Sequence, residues 1–315
     1  TWWVERLHDG GFFTKATKTQ VSLTDLSSLG EVPTVDLGAG KALLVYPHAH
    51  LLDGRGSQKP WLQEIPHPVS GLAWASWAEV SQHTADELGF SDLTDDTIVV
   101  KTDAGSVEVG VRISKGMPDG AVAVVLGNGS TAGGRYRKDW GANSFRLLKA
   151  ETDPLSGALS YLQGVATISK GGGGFFRKSQ KGSESMDDRP IANAAFAQDV
   201  IDGHPLNPGP DEGRGVHIVH DPRLVEAGVQ DFFPVPEHPN HRWAMDIDLD
   251  RCTGCGACEV ACMSENNISV VGPEQHWRMR YMNWIRLDRF WEGEGEHPDV
   301  RYLPAMCQQC NHAPC

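Results

Sequence analysis

The chain has 315 residues, 40% of them hydrophobic, and a formal net charge of −13. So acidic a balance argues against nucleic acid as a partner, because phosphate binding needs clustered Lys and Arg. No run of about 18 apolar residues occurs, so no segment reads as a bilayer-spanning helix.

At roughly 100–200 residues per domain the length predicts two domains, and the 35 Gly and 19 Pro predict many turns and little long helix. Leu43–Tyr46 reads as a buried strand and Asp53-Gly54-Arg55-Gly56 as a turn. Asp36–Lys41 has some look of a phosphate loop. It lacks the first Gly, and Ala42 stands where Ser or Thr should follow, so it reads as a turn.

Residues 58–150 are the best patterned. Ala78–Val80 is strand-like, and Thr84–Leu88 is a short helix with Thr84 and Glu87 as a capping box and Gly89 as its stop. Thr97–Thr102, Val107–Ile113 and Ala121–Leu126 read as strands, separated by turns at Asp103–Gly105 and Met117–Gly120. Short strands punctuated this evenly predict a small β-barrel. Trp61, Trp74 and Trp77 read as core or interface anchors.

Residues 151–240 read as a solvated connector, with Gly171–Gly174 as flexible linker. The acidic stretch 201–250 holds ten acids against three Arg. The thirteen His are scattered, mostly beside Pro or Gly, and read as surface loop residues. No Ser/His/Asp, Cys/His or paired-carboxylate arrangement stands out, so no catalytic residue is assigned.

All seven cysteines lie in the last 64 residues, within the segment 241–315. Cys252, Cys255, Cys258 and Cys262 form C-x2-C-x2-C-x3-C, the bacterial ferredoxin run. Two-residue gaps let one loop wrap three corners of a cubane with soft thiolates. Gly254 and Gly256 ease the loop's sharp turns and let backbone N–H groups point at sulfide. Cys307, Cys310 and Cys315 form C-x2-C-x4-C, with His312 between them as a loop residue rather than a ligand. Zinc is the competing reading. A zinc ribbon pairs two C-x2-C knuckles across about 15–20 residues, whereas Cys255 and Cys307 stand 52 positions apart and three cysteines would be left over. Met245–Asp248 and Trp284–Leu287 read as strands flanking the first motif. The chain begins at Thr1 and stops at Cys315 inside a cysteine motif, which reads as a piece of a longer protein.

With both motifs in view, the C-terminal 75 residues resemble the four-cluster electron-transfer subunits of polysulfide, nitrite and dimethyl-sulfoxide reductases. That resemblance implies that Cys252, Cys255 and Cys258 bind one 4Fe–4S cluster, that Cys262 serves a neighbouring one, and that Cys307, Cys310 and Cys315 begin another. One cluster of the full-length protein could be 3Fe–4S.

Residues 58–148 resemble the C-terminal barrel domain of molybdopterin oxidoreductases, through Trp77–Val80, Thr84–Gly89, Thr97–Val100, Gly127-Asn128-Gly129 and Gly133-Gly134-Arg135-Tyr136. Both pieces on one chain, with Pro60–Glu64 after Asp53–Gly56, look like the fused subunit of alternative complex III. The implied fold is α+β and β-rich: a double-psi-type barrel followed by a truncated ferredoxin-like domain. Residues 1–57 would end a preceding molybdopterin-oxidoreductase-like region.

The implied role is electron relay in a membrane-bound quinol-oxidising complex, beside heme-containing and quinol-binding subunits, on the periplasmic side of a bacterial inner membrane. Molybdopterin is not expected in it, and Gly134–Tyr136 would merely pack. Two other readings remain: an active molybdopterin enzyme with a fused electron-transfer tail, and a zinc-binding structural module.

Overall fold

Strands β1 (Lys41–Tyr46), β2 (Trp77–Val80), β3 (Thr97–Lys101), β4 (Ser106–Ile113) and β5 (Ala121–Val125) are rich in Val, Ile and Ala, the residues that pack best on a pleated surface. In the computed structural model they close, with β6 (Val165–Lys170), into a barrel of order β1-β5-β2-β4-β3-β6. The structure describes residues 2–8, 36–91, 96–162, 164–174, 245–292 and 298–307, with short pieces at 185–186, 191–192, 194, 197–202 and 240–241.

Two pairs of the barrel are parallel, β1 with β5 (Leu43↔Val122) and β2 with β4 (Ala78↔Val111). The other neighbours run antiparallel, which gives the double-psi-type weave expected for residues 58–148. The barrel interior is filled by Leu43, Val45, Val80, Ile98, Val100, Val109, Val122 and Val124. Closure also removes the exposed strand edges.

The barrel reaches beyond 58–150 at both ends, since β1 precedes that stretch and β6 follows it. The glycine run Gly171–Gly174 is not linker. Gly171 N–H donates to the Thr97 carbonyl (2.8 Å), Gly172 N–H to Glu108 Oε1 (2.8 Å) and Gly173 N–H to Thr97 Oγ1 (3.0 Å). A Cβ on Gly171 would lie 2.3 Å from Thr97 Oγ1, so only Gly lets the chain lie this close.

Helix α1 (Trp2–His8) belongs to a separate unit ending at Asp36, and its Trp2 and Trp3 are exposed. Helix α2 is Pro60–Glu64 and α3 is Gln82–Leu88. Ser81, not Thr84, caps α3 by accepting from Thr84 N–H, three positions earlier than the sequence pattern suggests. Gly89 ends α3 in the left-handed region at φ 67°. Helix α4 is Ala197–Ile201.

The cysteine-bearing part holds α5 (Ala257–Glu265), α6 (Pro273–Trp277) and a hairpin of β7 (Ile285–Glu292) with β8 (Asp299–Met306). Met245–Asp248, expected as a strand, is irregular. Its alternation finds no strand to pair with among the described residues. No helix among them is long and apolar enough to cross a membrane.

Candidate iron–sulfur site and its seat on the barrel

The first cysteine motif is built by two glycine turns and one helix. Gly254 (φ 66°) and Gly256 (φ 75°) both take the left-handed conformation, which a Cβ would strain. Gly254 also lies against the Tyr302 ring of β8, where a Cβ would come within 2.5 Å. Gly256 starts α5, and its carbonyl accepts from Val260 N–H.

Cys252 and Cys262 are half-buried, and Cys255 and Cys258 exposed. Burial and the adjacent Glu259 raise the Cys258 thiol, with backbone N–H groups working against them. Cys262 Sγ accepts from Asn266 Nδ2 at 3.5 Å. Cys307 directly follows β8 and is exposed, and Cys310 and Cys315 lie outside the described residues.

All five described cysteines are free thiols rather than disulfides. Soft donors, glycine-turned spacing and free sulfur suit an iron–sulfur cluster. The structure places four of them on one loop and helix. Among the described residues, though, it draws no three His, Cys, Asp or Glu into one metal shell.

This loop sits on the segment between β1 and β2. Ile65 packs with Met263, Ile268 and Val260, and Trp61 Nε1 donates to the Ile268 carbonyl at 3.4 Å. Buried Glu64 is the strongest tie. Its Oε1 accepts from Val271 N–H (2.9 Å) and Gly272 N–H (2.8 Å), while its own carbonyl accepts from His276 Nε2 (2.9 Å). Carboxylate–amide bonds of this kind contribute more than neutral ones. Glu64→Ala leaves two amide donors without a partner in a buried seam, each costing about 1–3 kcal/mol. Hydrogen exchange around residues 268–277 should speed up in that variant while β2 and β4 keep their protection.

Two buried arginines line the same seam. Arg289 of β7 donates from Nε to the Pro68 carbonyl at 2.6 Å. Arg112 of β4 donates to the Ser70 (2.6 Å) and Val69 (3.3 Å) carbonyls. Burial pulls Arg289 below the usual arginine value, with Glu259 opposing that shift. Glu259, 1% exposed, accepts from Asn283 Nδ2. Nearby, Trp77 Nε1 (3.0 Å) and Tyr46 OH (2.8 Å) both donate to Glu79 Oε1.

A histidine cluster completes the seat, and it contradicts the surface reading of these residues. His48 and His67 are buried, with ring centroids 5.0 Å apart, and His50 lies 5.6 Å from His48. His48 Nδ1 accepts from His50 N–H and Leu51 N–H, and His67 Nδ1 from Ser70 N–H. His50 Nε2 lies 3.1 Å from the Cys255 carbonyl. The spacing His48-Ala49-His50 is the only sequence hint of this grouping, and it is a weak one.

Burial holds these rings neutral. His67 is driven down to about 3 and buried His276 to about 4. The folded values lie below the unfolded value, so the unfolded chain binds more protons between them. Stability from this source is full above about 6.5 and is lost as pH falls from there, toward about 4 for His276 and about 3 for His67. Thermal unfolding of the full-length protein should therefore fall steeply across that window. The effect should be weaker in His276→Gln. Glu64, raised by burial, contributes with the opposite sign just above 4.5.

The Gly127–Tyr136 loop is closed on its own chain. Asn128 donates to the Ala75 carbonyl and accepts from Gln63, and Gly134 N–H donates to Gln58 Oε1. Gly129 N–H donates to the Trp140 carbonyl, and Arg135 bonds Tyr136. These bonds hold the loop against the barrel and against Gln58. Within the Asp36–Lys41 segment Leu37–Gly40 form a turn, as expected, and Lys41 begins β1.

Residues 51–166 match the family model described as the molydopterin dinucleotide binding domain, and residues 243–264 match the 4Fe-4S binding domain. Over 76 residues the chain is 46% identical to the menaquinone reductase iron–sulfur cluster-binding subunit of Nitratidesulfovibrio vulgaris, covering 24% of this chain and 29% of that protein. It is 38% identical over 76 residues to the arsenate respiratory reductase iron–sulfur subunit of Shewanella sp., covering 24% and 27%. It is 32% identical over 101 residues to the Hdr-like menaquinol oxidoreductase iron–sulfur subunit 1 of Archaeoglobus fulgidus, covering 27% and 36%. The chain therefore spans well under half the length of each of these relatives. Among solved structures, acetylene hydratase from Pelobacter acetylenicus aligns at a TM-score of 0.32 and 18% identity, covering 42% of this chain and 18% of that one. One chain thus joins a barrel that matches the molydopterin dinucleotide binding domain to a 4Fe-4S binding domain, similar to the iron–sulfur subunits of reductases.

Proposed function

We propose that this chain relays electrons through 4Fe–4S clusters inside a membrane-bound, quinol-oxidising complex of the alternative complex III kind. Its barrel serves as a seat for the cluster domain rather than as a catalytic pocket. The observation that carries the reading is the seam itself: Trp61, Glu64, His50 and Arg289 bind the cysteine-bearing segment to the barrel within one chain.

Two of the similar proteins carry menaquinone or menaquinol in their names, which supports a quinone-linked partner. Heme-containing and quinol-binding subunits, on the periplasmic side of a bacterial inner membrane, complete the proposed assembly. Cys252, Cys255 and Cys258 would hold one cluster, Cys262 a neighbour, and Cys307, Cys310 and Cys315 part of another.

When bound, a cluster supplies reversible one-electron storage. The chain's own residues hold the thiolates in place, keep water from one side of the loop and set the surrounding charge. Buried Arg112 and Arg289 add positive charge on the barrel side, which favours an added electron.

The test is to purify the full complex without oxygen, add a menaquinol analogue and follow the cluster EPR signals, with molybdenum measured on the same sample. Cluster reduction by quinol without molybdenum supports the relay. Stoichiometric molybdenum would move the assignment to a catalytic molybdopterin enzyme, and clusters that quinol never reduces would remove the quinol link.

A further inference from the structure

Among the side chains of the barrel unit, His50 stands out because it touches the cysteine loop at a backbone atom. Its Nε2 lies 3.1 Å from the Cys255 carbonyl oxygen, 205 positions away in sequence. A carbonyl can only accept, so Nε2 carries the hydrogen and donates it. The other ring nitrogen, Nδ1, is buried with no hydrogen-bond partner, as an acceptor nitrogen can be.

The ring is held in this pose from behind. The N–H groups of His50 and Leu51 both donate to His48 Nδ1, at 3.0 and 3.2 Å, which fixes the loop that carries His50. From the front, Gly256 closes against it. A Cβ there would meet His50 Nε2 and Ile65 Cδ1 at 3.4 Å.

The Cys255 carbonyl and the Gly256 N–H belong to one peptide unit. In a trans peptide these two groups point in opposite directions, and no cis bond occurs among the described residues. Pinning the carbonyl toward His50 therefore turns the Gly256 N–H away from that ring. Hydrogen bonds from N–H to cluster sulfur are among the factors that set cluster potentials, and they favour the more negative, reduced state.

We propose that His50 is a positioning residue for the cluster held by Cys252, Cys255 and Cys258. By holding the Cys255 carbonyl it aims the Gly256 N–H at a cluster sulfur and raises that cluster's reduction potential. The inference rests on the electron-relay reading above. It adds that the barrel sets the poise of the cluster as well as bearing it.

The experiment is an EPR-monitored redox titration of the full-length protein in its complex, with iron counted in each sample. His50→Phe keeps a ring of similar size without a donor, His50→Gln keeps a donor, and Trp61→Phe disturbs the same seam away from Cys255. In His50→Phe one cluster should become harder to reduce by about tenfold in its one-electron equilibrium, about 59 mV, with an altered EPR line. His50→Gln should recover most of that shift, and Trp61→Phe should leave the potential in place.

An unchanged potential in His50→Phe with iron retained overturns the proposal, as does an equal shift in Trp61→Phe. If His50→Phe loses its cluster, His50→Gln decides: a wild-type potential supports the proposal, and a lowered one overturns it. A wild-type protein without any cluster would sink the relay reading itself, and the inference with it.

Discussion

Trp77→Ala is expected to destabilise the barrel by about 3–5 kcal/mol, the range for deleting a large buried aromatic. Trp77 is 0% exposed and packs with Leu72, Ala75 and Val125. Its ring also meets His48 and His67 edge-on, with centroids 5.5 and 5.1 Å away. Its Nε1–H is one of two donors to Glu79 Oε1, so truncation also leaves a nearly buried carboxylate short of a partner. Because Trp77 backs the histidine cluster that carries the cysteine loop, both the barrel and its seat should loosen. Urea unfolding, with exchange at β2, β4 and β5 followed in parallel, checks this. A loss under 1 kcal/mol would mean that the neighbours collapse into the gap.

The second large effect concerns iron. Cys258→Ala in the full-length protein should lower iron by about four per chain, the content of one 4Fe–4S cluster, while the barrel unfolds as before. Cys258 lies in the first turn of α5, beside the glycine turns that bring Cys252 and Cys255 into the same loop. The contrast with Trp77→Ala is diagnostic, since one substitution removes metal and spares the fold and the other does the reverse. Unchanged iron in Cys258→Ala would remove this cysteine from the ligand set.

What was legible in the sequence follows from what is local. The ferredoxin run needs four thiols and two glycines within eleven residues, so it can be read without knowing the fold. Strands β3, β4 and β5 were legible because alternation and turns are encoded within each strand.

Strand β6 was not, because Val165–Lys170 sits between glycine-rich stretches and becomes a strand only by pairing with β1 and β3. Gly171–Gly174 looks like linker for the same reason, since the partners that pin it, Thr97 and Glu108, are more than sixty residues away. The histidines misled most. His48, His50 and His67 are separate in sequence and meet only because the chain between β1 and β2 folds back on itself, and His276 joins the seam from α6 through Glu64. The glycine loop 127–136 was noticed, but its partners were not legible: it donates to Ala75, Trp140 and Gln58 and accepts from Gln63, most of them far away in sequence.

The most direct test of the central claim is to measure iron, acid-labile sulfide and zinc per chain in the full-length protein purified without oxygen. The account predicts iron and sulfide in near-equal amounts, about four of each per 4Fe–4S cluster, with no stoichiometric zinc. Zinc without iron or sulfide would contradict it, and would make these cysteines a structural metal knot rather than a path for electrons.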